Sequence, residues 1–349
     1  MTVEAKVIQN NKTVNSKAFL DFVARKRWII PLVLIALYAV VFTILFPDVF
    51  ATPYNISAVL LEFSIPSMLI IGMAMQLING EIDLSVGYAA MFANMVAGLL
   101  VILRAPLIVS ILAPIIITSL IGLCVGTLVA KVGVNSFIAT LGSGLLFYGL
   151  GLWLFELGYS IGTNNAGLDL LHLPPEFTAI SKFELIKFSD GGALQLPILY
   201  AAVLLILFTY LMSKSRFFRN YYYIGMNKEA AKLSGIKVPA MKTLVFVISA
   251  AFAALSGVLM AARMGSCTTT LGDGMELRAI TAVVIGGISF KGGLGTMGGA
   301  ILGGLFIICL NNGLRIAEAP SSLYKVIEGG ILLLAVILDA MFSKRKVVG

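Results

Sequence analysis

Few residues in this 349-residue chain have the types and spacing that covalent or metal chemistry requires. It has one histidine, His172, and three cysteines, Cys124, Cys267 and Cys309. Two of the cysteines lie in apolar runs and none has CxxC spacing, so they read as free packing residues. A single histidine without an evident nucleophile or carboxylate beside it makes neither a triad nor a His-ligated metal centre. No GxxxxGK[ST] loop occurs. Lys291 sits among glycines but lacks the strand, the rest of the motif and a soluble domain around it. The chain is therefore expected to have no catalytic residue, no metal and no bound cofactor, and any ATP hydrolysis must come from another subunit.

What remains is three unusual segments. The first, Asn79 to Gly87, puts two carboxylates and two glycines into an apolar stretch. It reads as a polar turn with Asp83 or Ser85 capping the next helix. It also reads as a broken helix beside a water-filled path, with Gly80, Glu81, Asp83, Ser85 and Gly87 as its residues. The two readings are compatible.

The second segment, Arg219 to Lys242, contains Gly225-Met226-Asn227-Lys228-Glu229-Ala230-Ala231-Lys232-Leu233-Ser234-Gly235. Asn227 can start a helix, Ala230 and Ala231 favour it, and Gly235 can end it. A helix of about two turns is unstable alone, so it must dock on a membrane surface or on a cytoplasmic partner. The third segment is glycine-rich, from Gly286 to Gly304. Gly295, Gly299 and Gly303 recur every four residues and read as a helix-packing face. Gly122 and Gly126 repeat that spacing. Isolated polar residues in apolar runs (Glu62, Gln76, Asn94, Ser143, Tyr148, Asn311 and Asn312) read first as interhelical hydrogen-bonding groups, and a sugar site would use such groups.

The elements that must position these residues follow from composition. Hydrophobic residues make up 59% of the chain and charged residues 12%. A soluble domain carries about 25% charged residues, so this chain has too few to cover a water-facing surface. The apolar runs predict an all-α polytopic membrane protein of about ten helices. The candidate spans are Ile29–Phe46, Val59–Asn79, Ser85–Leu103, Leu107–Ala130, Phe137–Phe155, Leu196–Met212, Thr243–Met264, the short Leu277–Phe290, Met297–Leu314 and Tyr324–Phe342. An eight-span count would keep the same parity.

The net charge of +8 comes from basic residues flanking apolar runs, which are topology signals and not a nucleic-acid surface. One orientation places Arg25, Lys26, Arg27, Lys131, the basic loop 214–242, Lys291 and the tail Lys344-Arg345-Lys346 in the cytoplasm. Both termini are then cytoplasmic. The expected organisation is a cytoplasmic tail over 1–28, one membrane domain over 29–343, and a tail over 344–349. Within the membrane domain, 214–242 is a cytoplasmic loop and 158–193 an extracytoplasmic loop with room for a short helix. The polar start of the chain lacks the marks of a cleaved signal peptide.

Three stretches carry a resemblance. Gly80-Glu81-Ile82-Asp83-Leu84-Ser85-Val86-Gly87 is similar to a G-G-I-D-L-S-V-G motif. Ile224 to Ile236 is similar to I-G-x-N-x-x-A-A-x-x-S-G-I, and Glu276 to Gly295 to E-L-x-A-I-x-A-V-V-I-G-G-x-S-x-x-G-G-x-G. In that order, and along nearly the whole chain, they resemble the ribose/xylose/galactose-type permeases of bacterial ABC importers. Glu81 stands where that family usually has glycine, and Arg278 where it has a small or acidic residue.

The resemblance implies a fold similar to the vitamin B12 importer class. It also implies a second permease (a homodimer or a paralogous heterodimer), ABC ATPase subunits on the cytoplasmic face, and an extracytoplasmic sugar-binding protein, all at the bacterial plasma membrane. It makes Asn227, Glu229, Ala230, Ala231 and Gly235 a coupling helix, and has the helices around Gly80–Gly87 switch access. The implied function is translocation of a small monosaccharide. A nucleoside or branched-chain amino acid is the alternative cargo. A stand-alone secondary transporter relaying protons through Glu62, Glu81 and Asp83 is the alternative mechanism.

Overall fold

The computed structural model describes residues 26–164, 170 and 172–345, so the first 25 residues and the last four lie outside the described residues. Every candidate apolar run falls on a helix. The first is α1 (Ile29–Leu45), followed by the single-turn α2 (Pro47–Phe50). The expected Val59–Asn79 span is instead a bent pair, α3 (Pro53–Ser64) and α4 (Pro66–Ile78), at 46°. Pro66 has no N–H to continue the ladder, and its ring crowds the preceding turn, so the bend falls at Ile65-Pro66. Thr52 starts α3 by accepting a 3.2 Å bond from the Asn55 N–H, with Pro53 at the first helical position.

Next come α5 (Val86–Ile102) and α6 (Leu107–Thr127), the latter running through a π-turn (Leu128–Val132) to Gly133. Helix α7 (Ser136–Asn164) runs past its expected end at Phe155. The segment expected as loop holds α8 (Pro175–Lys182) and an antiparallel hairpin of β1 (Glu184–Lys187) and β2 (Ala193–Gln195). The hairpin corrects the purely helical expectation. Its reversal is local: Gly191 sits at φ +87°, and Asp190 accepts a 3.1 Å bond from the Gly192 N–H.

The second half comprises α9 (Leu196–Lys214), α10 (Arg216–Met226), α11 (Lys228–Leu233), α12 (Val238–Met264), α13 (Met275–Ile285), α14 (Met297–Ile316) and α15 (Ser321–Arg345). Among the described residues, five helices are long and apolar enough to cross a membrane: α6 with its π-turn, α7, α9, α12 and α14. The α3–α4 pair makes six if counted as one span.

Burial separates inside from outside. In α12, 67% of the apolar window is buried, against 28% in α6, 22% in α7 and 22% in α9. Helix α12 is thus the axis of the bundle, packed by α4, α5, α6 and α8. The outer helices present Leu, Ile and Val outward, such as Ile108, Leu145 and Ile206. In water that surface would be an aggregation hazard; in a bilayer it is the lipid-facing surface. The protein is a polytopic helical membrane protein.

Candidate functional site

The Asn79–Gly87 segment breaks the helical run between α4 and α5. Gly80 adopts φ +81°, which turns the chain out of α4, and the backbone then runs non-helically to Ser85. Asp83 is buried and accepts from four donors. Its Oδ1 takes the Ser85 N–H at 3.0 Å and the Ser85 hydroxyl at 2.6 Å. Its Oδ2 takes the Ser249 hydroxyl at 3.0 Å and the Gln76 amide at 3.4 Å. Ser85 occupies the N-cap of α5, but its hydroxyl is spent on Asp83 and caps nothing. The capping expectation is therefore corrected: Asp83 clamps the turn that starts α5 and ties it to α12.

Glu81 forms a buried ion pair with Lys242 near the base of α12. The Leu84 N–H donates to the Thr140 hydroxyl at 3.1 Å. An added Cβ on Gly87 would collide with the Gly272 carbonyl and the Glu276 carboxylate. Asp83 bonds to Ser249, and Ala90 packs on Gly257, both interior positions of α12, so this segment lies well inside the bundle.

Helix α11 is shorter than two full turns. Asn227 caps it, its Oδ1 accepting the Ala230 N–H at 3.0 Å, and Gly235 closes it at φ +82°. Ala231 is buried toward the bundle, while Lys228, Glu229, Ala230 and Lys232 are exposed. Leu233 is 90% exposed, an apolar tip that nothing among the described residues covers. Helix α10 anchors the unit by burying Tyr221 and Ile224.

The other two unusual segments meet the start of the first, at Ile78–Gly80, toward one end of the bundle. The Gly293 N–H donates to the Ile78 carbonyl at 2.8 Å. Gly225 lies against both, and an added Cβ there would strike Ile78 O. Gly80 borders Gly225 and the Lys291 carbonyl. The end of α4, the α10–α11 unit and the glycine-rich loop thus form one junction.

Gly299 and Gly303 lie on α14, against the backbone of Gly286 and Ala282 at the end of α13. Gly295 is not on that face. It lies in the loop before α14 at φ +114°, packed on Ile288, because the helix begins only after its Thr296 cap. Gly122 and Gly126 bring α6 onto the backbone of α12 at Phe246 and Thr243.

The isolated polar groups mostly bridge helices. The Asn94 amide donates to Gly257 O at 3.2 Å. Asn312 and Asn55 are bonded at 2.8 Å, and the Tyr38 hydroxyl donates to Asn312 at 3.1 Å. Ser143 bonds its own helix at Thr140 O, and Tyr148 packs on Tyr88 with ring centroids 5.1 Å apart. Glu62 accepts both of its bonds, at 2.7 and 2.6 Å, from Arg315. Glu62, Glu81 and Asp83 therefore each have separate partners and form no shared relay.

Sequence reading missed the charge partners. Arg278 donates to Glu328 on α15 at 3.1 Å, Arg27 to Asp339 at 2.6 Å, and Lys242 holds Glu81. The available signal was that a bundle this poor in charge places opposite charges inside apolar runs.

The family described as "Branched-chain amino acid transport system / permease component" matches residues 55–336. The chain is 32% identical to the xylose transport system permease protein of Haemophilus influenzae, over 90% of this chain and 96% of that one. It is 31% identical to the galactose/methyl galactoside import permease protein of Escherichia coli, over 95% and 99%. It is 35% identical to the ribose import permease protein of Bacillus subtilis, over 86% and 88%. No solved structure matches it at a significant level.

Proposed function

The chain belongs to the branched-chain amino acid transport system / permease component family, and from that premise we propose that it is the membrane-spanning permease of an ATP-binding-cassette importer for a small monosaccharide. The observation that carries the cargo class is near-full-length similarity to relatives whose names specify xylose, galactose and ribose. A sugar is therefore preferred over a nucleoside or a branched-chain amino acid. The chain is a transport subunit and not an enzyme.

In this reading two permeases, identical or paralogous, form the core in the bacterial plasma membrane. Each has about ten helices in a fold similar to the vitamin B12 importer class. ATPase subunits dock on α11, and an extracytoplasmic sugar-binding protein delivers the cargo. Both termini face the cytoplasm. That orientation is supported by Lys291, Arg27 and Lys242 clustering near the same end as α11, as basic residues do on the cytoplasmic side.

In this reading the work enters through α11 and travels along packed backbone. Displacing α11 moves α10, and α10 meets the ends of α4 and the glycine-rich loop at Gly225, Ile78 and Gly293. Displacement of the α4 end then loads the Gly80–Gly87 segment against the Asp83 clamp and the Glu81–Lys242 pair, which tie it to α12. Those residues then switch access between the two sides.

The test is uptake of labelled xylose, galactose or ribose into vesicles reconstituted with this chain. Uptake is expected only with ATP, the ATPase and the binding protein. Uptake by the chain alone, driven by a proton or sodium gradient, would overturn the reading.

A further inference from the structure

Two broken elements meet around a chamber of about 230 Å³. One is the α3–α4 bend, whose Ile65 and Pro66 line it. The other is α13, which supplies Arg278 and is too short to span a bilayer at about 1.5 Å per residue. Discontinuous helices mark substrate sites in transporters, because only a cavity or surrounding protein tolerates non-helical backbone at depth. The volume is many times the ~30 Å³ share of one water and falls just below the ~300 Å³ of drug-sized pockets.

The lining polar groups separate into two kinds. Glu62 is held by Arg315, and Arg278 is held by Glu328. Arg263 Nη1 and Asn311 Oδ1, in contrast, are buried without a hydrogen-bond partner, and both residues line the chamber. The Asn311 amide nitrogen is already committed to Glu328 at 3.1 Å, which orients its free carbonyl oxygen. One side of the site thus lacks an acceptor for a guanidinium N–H, and the other lacks a donor for a carbonyl.

An unmade bond on a buried polar group is costly, so whatever fills the chamber must both accept and donate: water when no cargo is there, and a cargo with the same capacity when it displaces that water. An apolar molecule supplies neither. A simple anion satisfies Arg263 and repels the carbonyl. A hydroxyl both accepts and donates, and neighbouring hydroxyls on a sugar ring present that pair together.

We propose that this chamber is a transit station for the monosaccharide, in which Arg263 donates to one sugar hydroxyl and Asn311 Oδ1 accepts from another. The proposal rests on the monosaccharide reading above.

The experiment uses the full complex in vesicles with ATPase and binding protein, and whichever of tritiated xylose, galactose, ribose or allose the wild type carries. Arg263→Met and Asn311→Leu are each expected to cut ATP-driven uptake about tenfold, the usual worth of one ligand hydrogen bond. ATPase docking and basal hydrolysis stay within twofold, because neither residue approaches α11. Arg263→Lys keeps a donor and is expected to recover part of the uptake, which a purely structural role would not require. A second variant, Ile308→Trp, adds bulk to the chamber wall while leaving Arg263 and Asn311 in the sequence, and should also block uptake.

A wild-type complex that carries none of the four sugars would overturn the cargo reading, and the station with it. A wild type that carries sugar, with Arg263→Met and Asn311→Leu at wild-type rates, would overturn the station alone.

Discussion

Asp83 shows how little a carboxylate inside a membrane reveals until its partners are known. It accepts from four donors on its two oxygens, so it is spent on holding the turn and tying it to α12. Asp83→Asn keeps the oxygen facing Ser85 but replaces the charged acceptor facing Ser249 and Gln76 with a neutral amide donor. At least one charged hydrogen bond worth about 1.5–3 kcal/mol is lost. Uptake is expected to fall tenfold or more while the ATPase still co-purifies; full uptake would show that the clamp is dispensable. Glu81 and Lys242 make a different case, since both side chains are mostly buried, at 9% and 13% exposure. Glu81→Gln leaves a buried ammonium unpaired, at a cost of about 3–5 kcal/mol. Thermal unfolding in detergent is expected to shift down clearly for Glu81→Gln and for Lys242→Gln. The double variant should be less unstable than the two losses added together, and strict additivity would show that the pair does not interact.

Helix α11 was legible in the sequence because its signals are local: Asn227 caps through Ala230, and Gly235 closes within one turn. Local bonds need only neighbouring residues, so spacing alone reports them. The failures have the opposite character. The four-residue glycine period runs unbroken through Gly295, yet the helix starts after Thr296, so periodicity crossed a boundary that only the cap defines. The β1–β2 hairpin is too short for an alternating pattern to stand out. Each charge pair joins residues distant in sequence, Glu81 with Lys242 and Arg27 with Asp339, and no window contains both partners. The exposed face of α11 leads to a prediction on this element. Glu229 and Leu233 point away from the bundle, so their replacement leaves folding untouched. Glu229→Arg and Leu233→Asp are each expected to weaken ATPase co-purification about tenfold, the cost of a contributing interface residue, with normal insertion and melting. Co-purification at wild-type levels for both would remove α11 from the docking surface.

At the level of the whole molecule, the question is how movement at a six-residue handle reaches the interior of a bundle built around α12. Dispersion-packed interiors transmit displacement when backbones touch without intervening side chains, because there is no rotamer to absorb the shift. The junction of Ile78, Gly225 and Gly293 is such a contact, with the 2.8 Å bond from Gly293 to Ile78 crossing it. Gly225→Ala adds one methyl that strikes the Ile78 carbonyl, and the only relief is separation of α10 from the end of α4. The docking face of α11 is unchanged by that substitution, so ATP binding and hydrolysis continue. The expected phenotype is therefore slippage: ATP consumed per sugar imported rises several-fold while ATPase co-purification and basal hydrolysis hold. Measuring both fluxes in the same vesicles separates this from simple misfolding, which lowers the two together. An unchanged ratio in Gly225→Ala would mean that the work enters the bundle elsewhere, through α12 at Lys242 or along α9, and the three-segment junction would be packing without a part in transport.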